Sequence, residues 1–196
     1  MRQLAEWIVC ALERRKATSV SDHKVYVYGF EAALYTLFST AGLILIGSLL
    51  GRHIESLIII AFFYTNQTFG GGFHASTHWK CFLTMATGLL CCLASFLVPF
   101  HLCAYLGLGA VSLLLMFLYP LVLHQNRAYL QSKQDLFRTR SRIALLIQTA
   151  CLIGVVIWGK QTYIQTICIA LGGCALSRIV AVKSRTMDQQ ADILLD

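Results

Sequence analysis

Gly70-Gly71-Gly72-Phe73-His74-Ala75-Ser76-Thr77-His78-Trp79-Lys80-Cys81 stands between two apolar runs, at about residues 54–64 and 82–100. The flanks have the character of membrane helices. The segment between them gathers glycines, imidazoles and a thiol. That contrast sets the class of fold: helices that cross a bilayer, interrupted at one face by a short polar stretch able to carry chemistry. Further apolar runs lie at about residues 25–50, 102–123, 143–158 and 163–182. The expectation is an all-α polytopic membrane protein with six transmembrane helices. A crossing needs about 20 residues, so the short second run is expected to draw on residues 66–69 as well.

Composition agrees. Of 196 residues, 57% are hydrophobic and 13% charged, where a soluble domain carries about 25% charged residues. Mean hydropathy is +0.67. A single membrane-embedded domain over residues 1–196 is expected, with an amphipathic N-terminal segment at 1–24, a site at 65–81, a basic loop at 124–142 and a polar tail at 183–196. Residues 1–24 are too polar for a secretory signal. Eight cysteines do not imply a disulfide framework, because Cys91, Cys92, Cys103, Cys151, Cys168 and Cys174 lie in or beside apolar runs, where a thiol behaves as a small apolar group. Only Cys81 has polar neighbours.

Leu4, Trp7, Ile8, Ala11 and Leu12 recur at helical spacing among charged residues. They predict an interfacial amphipathic helix, lying on the membrane or packed on the rest of the protein. The net charge of +7 does not point to nucleic acid, since the basic residues flank apolar runs instead of clustering with aromatics. With six spans, all but Arg52 and Lys160 of the 16 Lys and Arg residues fall on one side. That bias places both termini, and the 65–81 segment, at the cytoplasmic face of the cell membrane, where thiols stay reduced.

Cysteine catalysis needs a thiolate and a nearby imidazole. His74 and Cys81 are the candidate catalytic pair. On a straight helix their spacing is two turns, about 10.5 Å of rise, too far for a hydrogen bond. The backbone must therefore leave the helix between them. Gly71 and Gly72 permit that, and Ser76 or Thr77 is suited to cap a helix starting just before Cys81. A thiol near a helix N-terminus becomes more acidic, and Lys80 adds a cation.

A rival reading uses His74, His78 and Cys81 at i, i+4 and i+7. On one continuous helix they form a face fit for Zn²⁺, which would make this a metal-binding membrane protein or transporter. Glu31, early in the first span, is a candidate to orient His74, or to pair with Arg127 or Lys24. The basic residues of the 124–142 loop suit an acidic peptide, or are a solvated charged loop.

At Tyr28-Gly29-Phe30-Glu31, and above all at Gly71-Gly72-Phe73-His74-Ala75-Ser76-Thr77-His78-Trp79-Lys80-Cys81, the sequence resembles the AgrB family, membrane peptidases of accessory gene regulator quorum-sensing systems. The six runs, the amphipathic N-terminus and the basic loop extend the resemblance over nearly the whole chain. It implies that His74 is the catalytic base and Cys81 the nucleophile, with Gly71, Gly72, Ser76 and Thr77 as the supporting loop. It also implies an AgrD-like precursor peptide as substrate, with an amphipathic N-terminal part and an acidic tail that Lys80, Arg127, Lys133, Arg138 and Arg140 could hold. The product would be a cyclic thiolactone or lactone. The enzyme would be a homodimer in the lipid bilayer, needing no cofactor or metal. One departure stands out: the family's arginine shortly before the glycines is replaced here by Gln67 and Thr68. Lys80 or a cation of the 124–142 loop is the expected substitute.

Overall fold

A computed structural model describes residues 1–14, 22–71, 77–98, 101–119 and 134–195, with side chains for all of these except 78, 134 and 184–195. Among the described residues the chain is helical and contains no strand. The helices are α1 (Arg2–Arg14), α2 (His23–Leu49), α3 (His53–Gly70), α4 (His78–Ala94, followed by a 3-10 turn), α5 (Leu102–Leu118), α6 (Gln134–Trp158) and α7 (Gln161–Leu195).

Among the described residues, four stretches are long and apolar enough to cross a membrane: His23–Leu49, Trp79–Leu97, Asp135–Trp158 and Gln161–Lys183. The expected six crossings are thus found in part. Leu102–Leu118 is apolar but shorter. Helix α3 does extend through residues 66–69, as its short apolar run requires. It has 18 residues, but His53 and Glu55 at its start and Thr65, Asn66, Gln67 and Thr68 near its end dilute its apolar middle.

Two other expectations change. The 124–142 segment is not all loop, because α6 begins at Gln134 and carries Arg138, Arg140 and Arg142 on its first turns. Asp135 in that first turn suits the positive end of the helix dipole. The polar tail continues as the backbone of α7 to Leu195. Neither stretch contains glycine or proline to stop a helix.

The chain divides into two compact units, Met1–Ile46 and Gly47–Asp196. In the first, Ala5 and Val9 are fully buried and form a core with Val27, flanked by Phe30 and Leu34. His23 Nδ1 meets Glu13 Oε1 at 2.9 Å. The apolar stripe read from the sequence is therefore split. The helix packs through the small residues Ala5 and Val9 on its shoulder, while Trp7 stays 70% exposed and Leu4 44% exposed.

In the second unit α7 is the hub, packed against α3, α4, α5 and α6. Small residues make this possible, as they do wherever membrane helices meet closely. A Cβ on Gly172 would touch Leu108 at 3.2 Å, one on Gly173 would meet the Phe63 ring at 2.7 Å, and one on Gly109 of α5 would meet Cys168 Sγ at 2.9 Å. The α6–α7 turn is closed by Gly159 at φ +72°. Beside it Trp158 stacks on Tyr163 with centroids 5.9 Å apart. The C-terminal end of α3, the end of α5 and the start of α6 gather at the opposite end of this unit, around Arg178 of α7.

Candidate active site

Helix α3 ends at Gly70, and Gly71 leaves it at φ +72°, ψ 175°. This is the left-handed region that favours glycine. The chain re-enters a helix at His78. Thr77 is extended there (φ −132°, ψ 150°), and its hydroxyl accepts a hydrogen bond from the Lys80 amide at 3.3 Å. Thr77, not Ser76, is therefore the cap. The Cys81 amide donates to the Thr77 carbonyl at 3.0 Å, so Cys81 lies at the close of the first turn of α4, where the helix dipole favours a thiolate. Cys81 is half-buried. Lys80 is exposed, and neighbours in sequence do not share a helix face. Trp79 is 67% exposed and tilts against Phe82 at 5.6 Å.

Gly72, His74 and Ser76 lie outside the described residues, as do Arg127 and Lys133. The helix is nevertheless interrupted where the cysteine–histidine reading needs it to be. The same interruption undercuts the metal alternative. With Thr77 extended, no helix runs unbroken through residue 77, as that alternative assumes.

The cap makes a local prediction. Thr77→Ala should cost about 1 kcal/mol at the start of α4. Hydrogen exchange at the Lys80 amide should quicken several-fold, with little change at the middle of the helix. Unchanged exchange at Lys80 would remove Thr77 from this role.

The other described candidates lie on α2 and α6. Arg138 and Arg140 are exposed on α6. Arg140 stands at a cavity of about 470 Å³ between α3 and α6, lined also by Phe62, Phe69, Ile147 and Gln148. Glu31 is half-buried on α2 in the first unit. Among the described residues it makes no ion pair, with Lys24 or any other. Gln67 donates to Met85 Sδ at 3.7 Å and so ties α3 to α4.

Sequence reading misses the cation that does reach the end of α3. Arg178 of α7 is 3% exposed. Its Nη1 donates to the carbonyls of Met116 at 3.1 Å and Tyr119 at 3.0 Å, and its Nη2 donates to Asn66 Oδ1 at 2.9 Å and Ser141 Oγ at 3.3 Å. Asn66 Nδ2 in turn donates to Gln148 Oε1 and to the Phe62 carbonyl, each at 3.0 Å. The guanidinium rests on Gly70 so closely that a Cβ there would overlap Nη2. Among the described residues no acid pairs with Arg178. Its charge faces the carbonyl end of α5, the negative pole of that helix. The sequence does hold a signal for it. Arg178 is a full charge inside the apolar run 163–182, and such a residue is a functional candidate by position alone. Counting it among the cytoplasmic cations hides it.

Residues 1–179 match the family model described as accessory gene regulator B. No curated protein and no solved structure matches the chain.

Proposed function

The chain belongs to the accessory gene regulator B family, and from that premise we propose that it is a membrane-embedded cysteine endopeptidase that processes an autoinducer precursor peptide. Membership supports the processing role. The observation that carries the finer reading is the broken helix: α3 stops at Gly70 and α4 starts at His78, with Cys81 in its first turn.

In this reading the Cys81 thiolate attacks the carbonyl at the boundary between the signal segment and the acidic tail. His74 takes the thiol proton and returns it to the leaving amine. The carbon–nitrogen bond breaks, the tail departs with a new amino terminus, and the remaining peptide is held as a thioester. A thiol or hydroxyl of that peptide then attacks the thioester, closes the ring and releases Cys81. Thioester exchange with a thiol is nearly balanced in energy, so the competitor is water. A site walled by apolar helices and lipid favours closure.

The remaining features belong to the same proposal: a single peptidase domain, six crossings with α3 and α5 completing the set, α1 on the membrane surface through Leu4 and Trp7, a homodimer, and cytoplasmic termini and active site. Basic residues Lys80, Arg127, Lys133, Arg138 and Arg140 would hold the acidic tail, while Gly71, Gly72, Ser76 and Thr77 shape the loop and Glu31 orients or pairs.

Reconstituted in liposomes with an amphipathic precursor bearing an acidic tail, the protein should release the tail at a rate unchanged by a strong Zn²⁺ chelator. A chelator that stops release, with activity restored by Zn²⁺, would contradict the cysteine mechanism and favour metal chemistry.

A further inference from the structure

We infer that Arg178 is a positioning residue for the cysteine–histidine pair, fixing the end of α3 from which Gly71 turns out of the helix. The inference rests on the proposed dyad. Four observations carry it. Arg178 is buried at the end of the bundle where the catalytic segment leaves α3. Its guanidinium lies directly on Gly70, the last residue of that helix, and fills the space that a side chain would take. It bonds Asn66, one helical turn earlier, at 2.9 Å. It is itself immobilised from the far side by the Met116 and Tyr119 carbonyls of α5 and by Ser141 of α6.

A planar fork with donors on several sides can join three helices to a fourth at fixed angles. Lysine has no such shape. The arrangement thus ties the exit of α3 to α5, α6 and α7 together, while Gln67 ties the same stretch of α3 to α4 at Met85. A buried charge held only by neutral acceptors and a helix end is an expensive way to hold helices together. Its placement against Gly70 accounts for what it accomplishes: the last residue of α3, just before Gly71 turns out of the helix, is held in place.

The test is the pH dependence of Cys81 alkylation by iodoacetamide in the full-length protein in liposomes, read at the Cys81 peptide by mass spectrometry. A thiolate–imidazolium pair makes a thiol more acidic, so His74→Ala should move the profile to higher pH. Alkylation at neutral pH should fall roughly tenfold for each unit moved. Arg178→Gln should move it in the same direction, and Arg178→Lys should not restore it. In the His74→Ala background Arg178→Gln should add nothing, because its effect runs through the imidazole. Gly70→Ala, which keeps the arginine and displaces it, should reproduce the shift, and it serves where Arg178→Gln fails to insert.

A purely structural role would lower the yield of inserted protein and leave the profile of the inserted fraction where it was. That result in both Arg178→Gln and Gly70→Ala would overturn the inference and leave the dyad standing. An equal shift from Arg178→Gln with and without His74 would also overturn it. A profile unmoved by His74→Ala would overturn the dyad itself, and the inference with it.

Discussion

Replacing Cys81 by alanine should abolish release of the precursor's tail while the protein still inserts into the membrane. Within the second unit no other thiol lies at the start of α4. Cys92, Cys168 and Cys174 are buried among packed helices, and Cys91, Cys103 and Cys151 lie along helical surfaces away from the start of α4. Loss of a nucleophile that forms a covalent intermediate lowers turnover by roughly 10⁴-fold or more, and loss of its base by a similar factor, because the two act as a unit. His74→Ala should therefore be nearly as severe, and the double variant no worse than either single one. The fold should tolerate both changes. Cys81 is only half-buried, and alanine supplies the same backbone amide to the Thr77 carbonyl. The measurement is tail release in liposomes, with insertion checked by protease protection. Retained release in Cys81→Ala would end the cysteine mechanism.

The second large effect concerns stability. Asn66→Leu is close to isosteric and apolar, yet it should destabilise the second unit by about 2–3 kcal/mol. It removes an acceptor from a buried guanidinium and a donor from Gln148 Oε1. A hydrogen bond to a charged group is worth about 1.5–3 kcal/mol, and the partner left unsatisfied adds to the loss. Arg178→Met in the Asn66→Leu background should recover part of that loss, because it removes the stranded charge. Denaturation midpoints in mixed micelles would read both effects. An unchanged midpoint in Asn66→Leu would mean that the buried network contributes nothing to holding the helices.

The helix break is legible in the sequence because its causes are local. Consecutive glycines resist a helix, and a threonine just ahead of an apolar run is a cap. The amphipathic N-terminus is legible for the same reason, though not which residues it buries. Packing selects small Ala5 and Val9 and leaves Trp7 outside, a choice that depends on the shape of α2. The number of crossings is less legible, because α3 mixes an apolar middle with polar ends. The Arg178 network cannot be read from spacing at all. Asn66 and Arg178 are 112 residues apart, and Met116 and Ser141 are 62 and 37 residues from it. Only the fold brings them together, although the lone charge in the last apolar run is a pointer to that place.

The central claim is that Cys81 becomes acylated during processing. Mixing the purified protein with its precursor peptide, quenching in acid within the first turnover and measuring intact mass should reveal a peptide adduct. The adduct should map to Cys81, be released by hydroxylamine as a thioester is, and be missing when His74 is alanine. Tail release at full rate, with no adduct at Cys81 at any quench time and with an adduct on another residue or a metal requirement in its place, would contradict the account.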